Sequence, residues 1–420
     1  MSVRDSILTY ELPAAGRHIA ALDGLRGVAI LLVLFHHFTL YGRIEPATYL
    51  DLQIHRIALS SWVGVDLFFV LSGFLITGIL LDSKGSANYF RNFYARRVLR
   101  IFPLYYGFLI VFLYVLPRLL SYGPNFADLL EHQLWYWSYL SNVDISLNGW
   151  PRFKGLGHFW SLAIEEQYYL VWPIVVLLLS RRKLAWTCGG LMVAALAIRT
   201  ILVSEGVPLA AYVLTPARMD TLAVGGLLAV LWRSEKGKTL LARSTLPLML
   251  VSALIVLGLF VHYRVLGSLK PGTITIGYTA IACFFGSLLT LAIAVPGPSF
   301  FGRIWESRTL AFFGRYSYAL YIFHHLVAIY LARHGFSAAD IPTAGGSQLP
   351  GLVVFALAGI AISVGLSLLS WHLLEAPMLS LKKYFAYGSR PEVDVSMHSS
   401  NGSPDEADLI KEKPADADRR

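Results

Sequence analysis

Charge is what this sequence most lacks. Only 15% of its 420 residues are Asp, Glu, Lys or Arg, and 56% are hydrophobic. Soluble domains carry about a quarter charged residues, so a water-soluble globular domain is excluded as the main architecture. Cysteine is scarce too: Cys188 and Cys283 both sit inside apolar runs, which excludes a disulfide framework and offers no metal-ligand spacing. No metal is expected. The first twenty residues contain no short apolar core followed by a small-residue cleavage site, so no cleaved signal peptide is expected. Period-two alternation is absent from the apolar stretches, which excludes a membrane β-barrel. The net charge of +9 is dispersed through the connecting segments, with no separate basic domain. That distribution argues against a nucleic-acid partner.

What is present is a series of apolar blocks, each about 18–25 residues long, the length that crosses roughly 30 Å of hydrocarbon. Lipid gives backbone amides no partner, so continuous blocks of this kind must be helical. The sequence predicts an all-α polytopic transmembrane bundle of about ten spanning helices, near 23–41, 62–81, 98–118, 159–180, 184–203, 212–232, 245–262, 274–295, 311–332 and 351–373. The longest connection, 119–158, contains the aromatic string Trp135–Leu140 and reads as an interfacial aromatic belt. One set of connections holds Arg4, Arg17, Lys84, Arg91, Arg96, Arg97, Arg181, Arg182, Lys183, Arg233, Lys236, Lys238, Arg243, Lys382 and Lys383. The opposite set holds Arg43, Arg56, Arg152, Lys154, Arg264, Lys270 and Arg333. The positive-inside rule makes the richer side cytoplasmic, with both termini inside. Residues 1–18 read as a cytoplasmic leader, 19–387 as one membrane domain, and 388–420, polar and nearly free of aromatics, as a disordered tail.

Ionisable side chains inside spans are the informative ones, because each costs about 2.5–3.5 kcal/mol to insert. Arg26 and His37 lie eleven residues apart on the first helix, roughly 20° beyond three full turns, so they share one stripe about 16 Å apart. This stripe suits a cationic grip on an anionic cytoplasmic donor at one end and a neutral imidazole base at the other. Snorkelling for Arg26 and packing for His37 is the structural alternative. Asp66, entering the second helix from outside, reaches the depth of His37 and is a candidate to orient the imidazole, or else a partner for an arginine. Ser72 and Gly73 mark either a substrate-lined break or a small-residue helix contact. Arg96, Arg97 and Arg100 cluster before Pro103, with Arg97 and Arg100 on one face able to grip a phosphate-rich group, or to anchor at headgroups. Glu165 and Glu166 fall just inside the outer boundary of the fourth block as candidates to hold an acceptor's hydroxyls. His324 and His325 sit mid-helix and read as packing residues.

Six strings together, LDGLRGVAILLVLFHH, GVDLFFVLSGFLI, ARRVLRIFPLYY, FWSLAIEEQYYLVWP, RMDTLAVGGLLA and GRYSYALYIFHH, resemble the acyltransferase 3 family of membrane O-acyltransferases across about residues 20–375. The resemblance implies a bacterial inner-membrane enzyme that moves an acyl group, typically acetyl, from cytoplasmic acyl-CoA to a hydroxyl of an extracytoplasmic carbohydrate. It implies acyl-CoA (acetyl-CoA) as co-substrate with no bound cofactor, His37 as the catalytic histidine, Arg26 of the family's arginine–histidine pattern, and Arg96, Arg97 and Arg100 as donor-binding. It also places the family's second-helix SG on Ser72 and Gly73. Some members carry a fused extracytoplasmic esterase-like domain, and no such stretch occurs in these residues. The implied partners are therefore membrane lipid, the carbohydrate acceptor and, where transfer is completed elsewhere, a separate extracytoplasmic protein. Two rivals remain: a secondary transporter relaying protons through the same buried groups, and an acyltransferase for a small hydrophobic molecule such as a macrolide.

Overall fold

Backbone groups in hydrocarbon must be satisfied within their own segment, and the chain answers with helices almost throughout. A computed structural model describes residues 3–12, 19–118, 125–295, 299–334, 336 and 338–386. The expected disordered tail, together with Arg17, lies outside these residues. Among the described residues nine helices are long and apolar enough to cross a membrane. Together with one further helix they are labelled α1 Ala20–Gly42, α2 Gly64–Ser83, α3 Tyr89–Ile110, α4 Trp160–Leu178 and α5 Arg181–Ser204. The series continues with α6 Thr215–Leu231, α7 Glu235–Tyr263, α8 Tyr278–Ala294, α9 Ser317–Arg333 and α10 Leu349–Ser370. The protein is an all-α integral membrane protein.

The member outside those nine is α9, at 17 residues. The sequence predicts one span over 311–332, but the chain breaks at Tyr316 between α9 and a separate helix, Arg308–Arg315. That separate helix packs tightly on α1, where a side chain on Gly27 would meet the Leu310 carbonyl, and one on Gly24 would meet the carbonyl of Trp305, which ends the short helix Phe300–Trp305 just before it. In the same way α3 begins at Tyr89 rather than near 98, because Arg91, Arg96, Arg97 and Arg100 lower the hydropathy of turns that are helical all the same.

Contacts sort the connections into two faces. On one, Trp62 Nε1 donates to the Leu266 carbonyl at 2.6 Å, Ser347 Oγ donates to Asp51 at 2.5 Å, and Asn142 donates to the Val213 carbonyl at 3.3 Å. On the other, Lys84 Nζ caps the Val176 and Leu179 carbonyls at 2.8 and 2.7 Å, and Arg233 pairs with Asp82 at 2.6 Å. The 119–158 connection is more than an aromatic belt. Tyr139 stacks on Tyr105 with ring centroids 4.2 Å apart, Tyr105 Oη donates to the Tyr136 carbonyl at 2.8 Å, and Gln167 donates to the Tyr139 carbonyl at 2.9 Å. The described part of the connection, 125–158, is thus tied to both α3 and α4, whose side chains meet the Tyr136 and Tyr139 carbonyls.

The crossing of α2 and α6 sets the position of everything that follows. A Cβ on Gly73 would strike the Leu222 carbonyl, and one on Gly225 the Val70 carbonyl, so these two glycines bring the helix backbones together. Leucine at position 73 or 225 must push the helices apart. Overpacking costs about 1–3 kcal/mol, and Gly225→Leu is expected to lower the melting temperature in detergent by several degrees and to reduce the yield of monodisperse protein.

Candidate active site

Two cavities lie end to end inside the bundle. The first, of about 120 Å³, is lined by Arg26 of α1, Ser72 of α2, Arg97 and Arg100 of α3, and Ser161, Glu165, Glu166 and Tyr169 of α4, among others. The second, of about 280 Å³, is lined by His36, His37, Tyr41, Trp62, Trp150, Lys154, His158, Trp160, Tyr212 and His325, among others. Val65 and Tyr321 line both, so one valine and one tyrosine stand where an arginine chamber meets an imidazole chamber. Arg26 and His37 open onto different chambers, as their separation along α1 requires.

Four imidazoles from three elements converge at the second chamber. Carbonyls only accept hydrogen bonds, so each ring's carbonyl contact fixes its tautomer. His324 Nδ1 lies 3.0 and 2.9 Å from the Leu320 and Tyr321 carbonyls and so carries the proton, leaving Nε2 as an acceptor. That Nε2 faces His37 Nδ1 at 3.2 Å, and His37 Nδ1 is also 3.0 Å from the Val33 carbonyl. His37 Nδ1 is therefore the donor to both, and its Nε2 is left with a free lone pair on a ring that lines the chamber. The second pair is equally determined: His158 Nε2 donates to the Tyr321 carbonyl at 2.8 Å, so its Nδ1 accepts from His325 Nδ1 at 3.1 Å. His325 Nε2 then accepts from the Tyr41 hydroxyl at 3.0 Å. His36 turns away to the Ala58 carbonyl at 3.1 Å.

The arginine chamber has the opposite character. Arg26 is held by Asp23 at 3.3 Å one turn earlier, Ser72 bonds the Tyr169 hydroxyl, and the Glu165 carboxylate is hydrogen-bonded by Ser72 and Tyr169. At the junction, Tyr321 Oη lies 2.5 Å from Ser161 Oγ and 3.0 Å from the His158 carbonyl.

The structure brings together Arg26, Arg97, Arg100, Ser72, Glu165 and Glu166 in one chamber and puts His37 in the other. Four expectations need correcting. Asp66 does not orient His37: it is fully buried against Arg218 at 2.5 Å, and His324 occupies the place the sequence reading gave it. Arg96 turns to the C-terminal segment, donating to the Lys382 and Phe385 carbonyls at 3.1 and 3.2 Å. Gly73 serves the α2–α6 crossing and is absent from the cavity lining. Glu165 and Glu166 lie with the arginines rather than at the other end, because His158 already forms part of the imidazole chamber and the glutamates follow it by about two helical turns. His158, His324 and His325 were not singled out as site residues by sequence. The one available signal was that the His36–His37 doublet of α1 has a counterpart in His324–His325 of α9.

This geometry gives a first prediction about chemistry. If His37 acts as a base whose tautomer His324 fixes, His324→Ala is expected to lower kcat by about one to two orders of magnitude, less than loss of His37, with KM little changed. His324→Gln, which retains an acceptor, should recover part of it. Steady-state kinetics on the reconstituted protein decide this.

Comparison with known proteins bears on the same residues. The profile of the acyltransferase domain family matches residues 19–372, which include both chambers. Among the relatives, the protein named "Putative peptidoglycan O-acetyltransferase YrhL" of Bacillus subtilis (strain 168) is 29% identical over 347 residues, covering 76% of this chain and 50% of that one. "Peptidoglycan O-acetyltransferase OatA" of Listeria monocytogenes is 26% identical over 323 residues, covering 74% of this chain and 49% of its own. The chain thus spans about half the length of these relatives. Comparison with solved structures returned no match.

Proposed function

Because this chain belongs to the acyltransferase domain family, we propose that it is a membrane O-acyltransferase that passes an acyl group, acetyl in the simplest case, from acyl-CoA on the cytoplasmic side to a carbohydrate hydroxyl on the other side. The observation that carries this reading is the end-to-end arrangement of an arginine chamber and an imidazole chamber meeting at Val65 and Tyr321. Arg26, Arg97 and Arg100 supply guanidinium forks suited to the phosphates of a CoA ester. Two of the relatives are named as peptidoglycan O-acetyltransferases, and peptidoglycan is a glycan, which favours a carbohydrate acceptor.

In this account the arginine chamber faces the cytoplasm, in keeping with the Lys/Arg-rich connections at that end. The acceptor's hydroxyl enters the imidazole chamber and gives its proton to His37 Nε2 as its oxygen attacks the thioester carbonyl. The C–S bond breaks, a C–O ester bond forms, and the proton leaves His37 for the departing thiolate, so that free CoA and the acyl ester are the only products. His324 accepts the His37 Nδ1 proton's hydrogen bond throughout and steadies the imidazolium that forms.

Purified protein in proteoliposomes, given acetyl-CoA and soluble peptidoglycan glycan strands, should release CoA in step with ester formation. A proton-coupled transporter predicts uptake of a solute with no CoA released. That result would remove the enzyme from consideration.

A further inference from the structure

The surroundings of the imidazole chamber bear on which carbohydrate it takes, an inference that rests on the acceptor reading above. Its lining includes Trp62, Trp150, Trp160 and Tyr212, flat apolar surfaces suited to the face of a sugar ring. Among the described residues that line it there is no carboxylate, and Lys154 is the one full cation. Lys154 is exposed and lies within electrostatic reach of His325. Two further exposed cations, Arg43 and Arg333, lie within electrostatic reach of the Tyr41 hydroxyl, which also lines the chamber. Among the described residues none of the three is paired with a carboxylate. One buried acid on that face, Asp51, is engaged by Thr48, Ala47, Ser347 and Gln348.

Two features make this arrangement unlike ordinary surface charge. The connections at this end of the bundle are the Lys/Arg-poor set, holding seven such residues where the other set named above holds fifteen, yet three of the seven gather around one chamber. Membrane topology favours the removal of cations from this face. Arg43 in addition sits at φ 51°, the left-handed C-cap position after α1, where glycine is the favoured residue. Arg333 lies over the Phe153 ring at 5.2 Å, which steadies its guanidinium at the end of α9.

We propose that the imidazole chamber takes an anionic saccharide, one that carries a carboxylate or phosphate near the hydroxyl to be acylated, with the ring against the tryptophans and the negative charge met by Lys154, Arg43 and Arg333. The cations raise the local concentration of such a strand at the chamber mouth and set which hydroxyl faces His37. A neutral glycan of the same shape has the stacking surfaces alone.

Binding is read without any turnover, from the tryptophan fluorescence of the full chain in nanodiscs of zwitterionic lipid, titrated with glycan oligomers that differ in one group. The probes are an oligogalacturonide, its methyl ester and a phosphodiester-bearing oligosaccharide. The expected result is at least a tenfold tighter Kd for one or both anionic probes than for the ester at low salt, shrinking as salt screens the contact over about 10 Å at 0.1 M. Lys154→Gln, Arg43→Gln and Arg333→Gln should each reduce that preference severalfold, and the triple variant should abolish it while the ester's affinity stays put. Equal affinity for charged and neutral probes overturns the proposal. So does a preference that survives the triple variant. A triple variant that alters only retention in vesicles containing phosphatidylglycerol also overturns it, since the cations would then serve lipid headgroups. The charge preference is a ratio of affinities read without acyl transfer, so failed catalysis and failed charge selection are told apart.

Discussion

Replacing His37 with alanine is expected to abolish acyl transfer, lowering kcat by about 10²–10⁴ while the protein remains folded and membrane-embedded. The argument is one of proton accounting. A sugar hydroxyl is a poor nucleophile until a base accepts its proton, and among the four converging imidazoles, His37, His158, His324 and His325, only His37 combines a free Nε2 lone pair with a ring on the chamber wall. His158 and His324 have Nε2 or Nδ1 committed as donors to carbonyls and their remaining nitrogens engaged by His325 and His37. His325 is closed at both nitrogens by His158 and Tyr41. None of them can stand in for His37 without breaking a buried hydrogen bond. The substitution leaves a cavity beside three polar rings, so a melting curve and a size-exclusion profile accompany the kinetics. Full activity in a folded His37→Ala protein would remove the residue from the mechanism.

The second large effect concerns folding. Arg218→Ala is expected to destabilise the protein by about 3–5 kcal/mol, because it strands the Asp66 carboxylate without a counter-charge at a fully buried site. Arg218 also lies over the Tyr278 ring at 4.2 Å and within 5.8 Å of Phe69, Trp160 and Tyr212, so a cationic guanidinium fills an aromatic box between α2, α4, α6 and α8. Asp66→Asn alone should be destabilising to a similar degree. Replacing both Arg218 and Asp66 with apolar residues of like size should be milder than either single change, since paired burial offsets little more than its own desolvation. Thermal unfolding in detergent with a double-mutant cycle measures the coupling. Strict additivity of the two substitutions would show that the pair is not the source of the effect.

Much of the fold was legible because hydrocarbon imposes a length and polarity rule that short-range sequence reports directly. Failures occurred where that rule is silent. The start of α3 was placed late because arginines that face a chamber count against a membrane span in any window average, and the break at Tyr316 leaves no trace in hydropathy. Trp135–Leu140 reads in sequence as an interfacial aromatic belt because mixed polarity looks the same whether aromatic side chains meet the membrane interface or the hydroxyls and amides of α3 and α4.

The site divides along the same line. Arg26 and His37 share one helix, so their spacing carried their relation. Depth alone could not say whether Asp66 faces His37 or Arg218, since both lie on other helices and only packing chooses between them. His158 comes from the turn before α4, and His324 and His325 from α9, and no local pattern encodes their convergence on α1. The helical spacing of Glu165 from His158 was readable, but not that the latter already lies within the imidazole chamber.

The central claim is that two chambers joined at Val65 and Tyr321 carry an acyl group from one side of the bilayer to the other. Its most direct test is sidedness in proteoliposomes of uniform orientation, with radiolabelled acetyl-CoA supplied on the arginine-chamber side and glycan strands sealed on the opposite side. The account predicts labelled ester on the sealed strands, with CoA remaining where it was added. Labelling only when donor and acceptor share a compartment would contradict it.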